Sequence, residues 1–238
     1  MANLIDSIRR KRKFAKLSRK RLHLWDLSEQ QICYIQNYKV CTRSIREALT
    51  RYLIEQETGQ PLADYDCITH DLVEAKDNAT KRFKHVHEIR EVCPKHFVFT
   101  FVRHPVARIQ SCYTNRLLDA ANAKDKDRFS IYGITRDTSF EDFVKIICDV
   151  PDKFADRHFK SQHTLTHDGD QSVCDFIGKF ENLAEGWAQL QERFDLPALP
   201  HKNKSHKREK SDTALSQEGK QLLAKRYARD FEVFGYEL

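Results

Sequence analysis

Residues 96–113, HFVFTFVRHPVARIQSCY, join two kinds of element with almost nothing between them. Phe97, Val98, Phe99, Phe101 and Val102 make a short aromatic and β-branched run, which suits an interior parallel strand better than a helix of that length. Pro105 fits the first turn of a following helix, where its missing N–H would lack an intrahelical partner anyway. A buried strand that passes straight into a helix belongs to an α/β sheet. Arg103 then stands at the carboxyl end of the strand, and Ser111 lies two turns up the helix, eight residues on. Ligands of open α/β sheets bind outside the carboxyl ends of the strands, and a forked guanidinium with a nearby hydroxyl suits a phosphate. The structural alternative is an Arg–carboxylate pair, and this segment alone does not choose between them.

A second anion site lies upstream. QQICYIQ (30–36) reads as the first strand, and NYKVCTRSIREAL (37–49) as a loop entering a helix, with Lys39, Thr42, Arg43 and Ser44 clustered at the entry. A loop that brings a cation, hydroxyls and unpaired amides to a helix N-terminus is an anion cradle, because dipole and donors point the same way. Ser44 with Glu47 three residues later also predicts a capping box, which is compatible with anion contact. The loop has no GxxxxGK[ST] pattern, which argues against an ATP- or GTP-using P-loop enzyme.

These residues resemble the sulfotransferases that use 3′-phosphoadenosine 5′-phosphosulfate (PAPS), and the carbohydrate-type branch in particular. Tyr38-Lys39-Val40-Cys41-Thr42-Arg43-Ser44-Ile45 is similar to the family's first loop, which grips the 5′-phosphosulfate. Tyr38 stands where Pro is usual and Arg43 where a hydroxyl residue is usual. VRHPVARIQS (102–111) reproduces the strand, Arg, turn and helical Ser that hold the 3′-phosphate in the family. DFIGKFENLAEGW (175–187), LPHKNKSHK (199–207) and YARDFEVFGYEL (227–238) extend the likeness over residues 30–238. The resemblance implies a three-layer parallel sheet flanked by helices, the P-loop-NTPase-like sulfotransferase fold. It also implies PAPS as co-substrate and a carbohydrate or glycan hydroxyl as acceptor. Lys39, Thr42, Arg43, Ser44, Arg103 and Ser111 then bind the nucleotide, and Lys39 doubles as leaving-group stabiliser.

Sulfuryl transfer to a hydroxyl needs no metal in principle, since fixed cations and amide donors can neutralise the leaving phosphate. The acceptor needs a base, and His is the side chain suited to neutral pH. The segment FKHVHEIREVCPKHF (83–97) places His85 and His87 before a short helix leading to the Arg103 strand, a place the base commonly takes in the family. His85 opens that segment and is assigned the role; His70 is the runner-up, and His87 points elsewhere on a helix. The basic run HKNKSHKREK (201–210) reads as a solvated loop. By resemblance it is a flap over the nucleotide, with Asn203 and Ser205 as contacts.

Strands are expected near 31–36, 65–69, 97–102 and 174–179. Helices are expected near 44–57, 84–92, 106–118, 139–148, 182–194 and 215–229, and the polar stretch 120–139 suits a loop over the acceptor site. A single domain over 25–238 follows a basic arm at 1–24, which holds nine Lys or Arg and one Asp; its net of +8 within a total of +6 leaves −2 for the rest. The arm suits peripheral contact with an anionic membrane more than specific nucleic-acid binding. No run approaches the roughly twenty apolar residues of a membrane span and none resembles a signal peptide, so a cytoplasmic location is expected. The seven cysteines form no CxxC pair and no His–Cys cluster at zinc spacing along the sequence, which predicts free thiols and no metal. Two other classes compete with the transferase. A kinase-like nucleotide enzyme lacks its Walker pattern, and a non-catalytic basic module leaves two anion sites at strand ends unexplained.

Overall fold

The computed structural model describes residues 22–65, 67–77, 81–83, 85–118, 129–200 and 213–238. Strands β1 (Leu22–Leu27) and β2 (Ile32–Ile35) come first, followed by helix α1 (Thr42–Thr58), helix α2 (His70–Asp77) and strand β3 (Lys81–Phe83). Helix α3 (Glu88–Val92), strand β4 (Phe97–Val102) and helices α4 (Pro105–Tyr113) and α5 (Phe140–Cys148) come next. The small hairpin β5–β6 (His167–Asp168, Gln171–Ser172), strand β7 (Phe176–Lys179) and helices α6 (Leu183–Phe194), α7 (Gln217–Arg226) and α8 (Ala228–Phe234) complete the order. The chain divides into two compact units, a sheet unit drawn from 22–103 and 165–200 and a helical unit drawn from 104–164 and 213–238.

In the sheet unit five strands run in the order β3-β1-β2-β4-β7. β2, β4 and β7 pair in parallel, while β1 pairs antiparallel with both β2 and β3. The sheet is therefore mixed, with one reversed strand, where the sequence predicted a wholly parallel one; the α/β class stands. Alternation sorts the two faces. Trp25, Ile32, Tyr34, Phe99 and Phe101 pack with Ile45, Ala48 and Leu49 of α1 and Trp187 and Leu190 of α6. Leu24, Cys33, Ile35 and Val98 pack with Ile89 and Cys93 on the α3 side, which makes three layers. Close approach of α6 and β7 depends on two glycines: a Cβ on Gly178 would overlap the Phe101 ring, and one on Gly186 would lie 3.0 Å from it. β7 is fastened by Asp175, whose carboxylate accepts from the Val98 amide at 2.7 Å and pairs with Arg90 at 2.8 Å.

β1 and β3 are absent from the expected strands, since one adjoins the basic arm and the other, Lys-Arg-Phe, is mostly charged. Leu22–Leu24 of the expected arm therefore belong to the sheet. The described part of 65–69 is a turn, closed by the Ile68 amide on the Tyr65 carbonyl at 3.0 Å, because its apolar content amounts to the single buried Ile68. α3 starts only at Glu88, whose carboxylate folds back to accept from the His85 amide at 3.0 Å.

The helical unit packs Ile109, Cys112 and Tyr113 of α4 against Phe143, Val144 and Ile147 of α5, with Phe159, Leu223 and Tyr227. Ser139 caps α5 as its sequence predicts, accepting from the Asp142 amide at 3.1 Å. Two acids inside this unit are well satisfied. Asp152 accepts from Arg226 Nη2 at 2.7 Å and from the Ser161 amide at 2.9 Å. Burial alone would raise its carboxyl, but the Arg226 bond and charge and the Ser161 contacts outweigh that and hold it below the usual range. Asp230, fully buried, accepts from the Gln162 and His163 amides at 2.8 and 2.9 Å.

Candidate active site

At the end of β2 the chain makes its sharpest departure from ordinary backbone. Lys39 and Cys41 have φ values of 70° and 49°, in the left-handed region that glycine usually supplies. No glycine occurs between Gln36 and Ser44. The conformation is held from several sides: Asn37 Nδ2 donates to the Phe101 carbonyl at 3.0 Å, Thr42 Oγ1 donates to the Asn37 carbonyl, and Arg103 Nη1 donates to the Lys39 carbonyl at 3.4 Å. Backbone kept in sparsely populated regions by surrounding structure is concentrated at ligand clamps and active sites.

The two left-handed turns start α1 at Thr42, two residues earlier than the sequence predicts, with Cys41 at the N-cap and no cap bond from its side chain. The capping box of Ser44 and Glu47 does not form. Ser44 lies inside the first turn, 3% exposed, and Glu47 instead accepts from Arg43 Nε at 3.2 Å. An Arg one turn from a carboxylate competes for it effectively. Arg43 itself is 76% exposed along its side chain. The first-turn amides of a helix have no carbonyl within the helix to bond, so the early start aims a row of donors at the end of β2.

Arg103 follows β4 directly, and its guanidinium lies 4.5 Å from the centroid of the Phe180 ring, at the end of β7. Stacking on an aromatic face orients the fork. Since Val102 pairs with Lys179, the next positions on both strands are Arg103 and Phe180, so register accounts for the contact. Beside the loop the buried Tyr34 phenol is pushed far above its ordinary value, chiefly by desolvation, and stays neutral.

The topology also places His85. β3 runs in the same direction as β2, because both oppose β1, and Leu24 pairs with both Ile35 and Lys81. His85, two residues past Phe83, thus leaves the sheet at the edge carrying Lys39 and Arg103, two strand spacings (about 10 Å) from β2. Its ring is exposed and stacks on His87 with centroids 5.4 Å apart. His70 is exposed at the start of α2, with Asp71 and Glu74 carboxylates each at 3.9 Å.

Lys39, Thr42, Arg43, Ser44, Arg103 and His85 therefore all belong to the sheet unit. Ser111 lies on α4, half-buried, in the helical unit. Asn203 and Ser205, with the rest of 201–210, lie outside the described residues, as do 119–128 of the expected acceptor loop. Sequence reasoning passed over Asn37 and Phe180. Each directly follows or nearly follows a strand, and an amide or aromatic there was the available clue.

A strained loop, an early helix start and an aromatic-backed Arg thus meet at the carboxyl ends of adjacent parallel strands, the place where open α/β sheets bind ligands. A model of the sulfotransferase family matches residues 22–237, and the chain belongs to that family. It is similar to carbohydrate sulfotransferase 14 of Danio rerio, at 27% identity over 181 residues, an alignment covering 63% of this chain and 47% of that protein. The chain thus matches about half the length of that curated relative. No solved structure matches significantly. Among the described residues, no helix is long and apolar enough to cross a membrane.

Proposed function

We propose that the chain transfers the sulfuryl group of PAPS to a hydroxyl of a carbohydrate acceptor. The observation that carries this reading is the bond from Arg103 Nη1 to the Lys39 carbonyl, 3.4 Å, which ties the family's two phosphate-binding motifs to one sheet edge. Lys39 and the first-turn donors of α1 hold the 5′-phosphosulfate, and Arg103 holds the 3′-phosphate. In the transfer the acceptor oxygen forms a bond to sulfur as the bond from sulfur to the bridging oxygen breaks. Lys39 neutralises the charge left on the nucleotide phosphate, and His85 takes the acceptor proton. Thr42 clasps the loop from within, and Arg43 and Ser44 complete its donor set. The carbohydrate acceptor is supported by the relative's name alone.

Calorimetry at fixed salt tests the donor site. The chain should bind 3′-phosphoadenosine 5′-phosphate in preference to AMP and ATP, and Arg103→Ala should weaken that binding by about 10–100-fold, the loss of charge-assisted hydrogen bonds. Equal affinity for all three nucleotides would overturn the reading. With a glycan panel and labelled donor, His85→Ala should lower turnover by about 10²–10⁴-fold while nucleotide binding persists. Unchanged turnover would move the base to His87 or His70.

A further inference from the structure

Four metal-ligating side chains from separate stretches of the chain meet at the opposite end of the same sheet. Asp26 of β1 and Cys33 of β2 are directly paired across the antiparallel ladder, so their side chains share one face, the one that α3 covers. The turn between α3 and β4 brings Cys93 and His96 to that face. A carboxylate oxygen, two Sγ atoms and an imidazole nitrogen, one from each residue, all lie within 4.8 Å of one another. Both thiols are fully buried, and the Asp26 and His96 side chains are 3% and 16% exposed. Neither ring nitrogen of His96 makes a hydrogen bond, although Nε2 stands 3.3 Å from Asp26 Oδ1. Ring nitrogens shielded from water and without a hydrogen bond are uncommon in proteins unless something further engages them.

We propose that Asp26, Cys33, Cys93 and His96 form a structural site for a thiolate-preferring divalent cation of the zinc type, clamping β1, β2 and the α3–β4 turn together. Two sulfurs, an imidazole and a carboxylate make a complete tetrahedral set with no open position, and thiolate donors select zinc over magnesium or calcium. Bond lengths of about 2.0–2.3 Å put the donor atoms of such a site about 3.3–3.8 Å apart, so the four side chains close in by about 1 Å on binding. Charge balances in both states. The Lys81 ammonium pairs with Asp26 and lies 3.9 Å from Cys93 Sγ, and with both thiols protonated the group is neutral. When a divalent ion enters and two thiol protons leave, the sum is again zero.

The sequence concealed this site because its nearest pair, Cys93 and His96, has no second pair at comparable spacing; β pairing supplies the other two. The site stands roughly 13 Å along β2 from the Asn37 loop, counted from Cys33 at strand rise, and is independent of the transferase reading.

Elemental analysis of the full-length chain, purified without chelator, should find one zinc per molecule. After stripping, Co²⁺ should give a near-ultraviolet thiolate charge-transfer band and the strong visible absorption of tetrahedral cobalt, saturating at one equivalent. Cys33→Ser and Cys93→Ser should each reduce the charge-transfer band to about half and weaken Co²⁺ binding about tenfold or more, whereas Cys67→Ser, on an exposed turn, should change neither. The stripped wild-type chain keeps the test decisive where a variant fails to fold. No cobalt band in it, an unaltered band in the double Cys variant, or a Cys33–Cys93 disulfide found by alkylation and mass spectrometry would overturn the site.

Discussion

In the helical unit the guanidinium of Arg226 meets the Asp152 carboxylate at 2.7 Å, and Asp230 meets His163 Nδ1 at 2.8 Å. In the sheet unit Arg103 Nη1 donates to the Lys39 carbonyl, and its guanidinium lies over the Phe180 ring. The backbone differs in the same sense. Among the described residues the positive-φ positions outside glycine are Gln31, Lys39, Cys41 and Asp195, and two of them fall in the loop whose Lys39 carbonyl accepts from Arg103. The Asp152 and Asp230 clusters use charge to satisfy themselves, whereas the loop from Lys39 to Cys41 is built on conformational strain. A buried ion pair serves the fold, whereas an oriented cation beside strained backbone serves a ligand.

If this contrast is right, Lys39→Ala should have the largest effect on function and little on stability. Removing a donor aimed at developing charge lowers kcat by about 10²–10³-fold. Single-turnover sulfuryl transfer against urea unfolding separates the two, and a parallel loss of stability would make Lys39 a fold residue. Asp152→Asn should do the reverse, lowering stability by about 2 kcal/mol at neutral pH. Because the Asp152 carboxyl is held below its ordinary value, its contribution is full above the unfolded pKa of about 3.9 and fades as pH falls through the lower folded value. Urea midpoints of variant and wild type should therefore start to draw together only below about pH 4, as the lower folded value is approached. The smallest effect belongs to Cys41→Gly. Relief of about 1–2 kcal/mol of left-handed strain should offset the roughly 0.5–1 kcal/mol of extra chain entropy, leaving stability near wild type. A loss as large as that of a mid-helix glycine such as Ala48→Gly would mean Cys41 carries no strain.

Much of this was legible along the chain because local patterns specify it. The Phe97–Val102 run, Pro105 at the start of α4 and the Ser139 cap of α5 each depend on residues within one turn or strand. The two strand-to-helix junctions that carry Lys39 and Arg103 were readable for the same reason. The reversed strand β1 was not, because its pairing with β2 and β3 is a tertiary choice and its neighbours are basic residues that read as an arm. The failed capping box shows a different limit. Ser44 and Glu47 have the right spacing, but the left-handed turns at Lys39 and Cys41, stabilised by Asn37 and Arg103 from 64 positions apart, move the helix start past them. The Asp26–Cys33–Cys93–His96 group is a more extreme case, assembled by strand register together with the α3–β4 turn.

The way β7 is fastened has a consequence for the order of folding. Its carboxylate Asp175 reaches the Val98 amide across 77 positions of chain, and the whole His104–Thr164 segment of the helical unit is made in between. Pairing over so long a loop is slow, since the closure entropy must be met before the contacts that reward it. Phe180, the surface on which Arg103 is oriented, arrives with that strand. On the proposed reading the nucleotide site is complete only once β7 has docked, so binding of 3′-phosphoadenosine 5′-phosphate reports that long-range pairing.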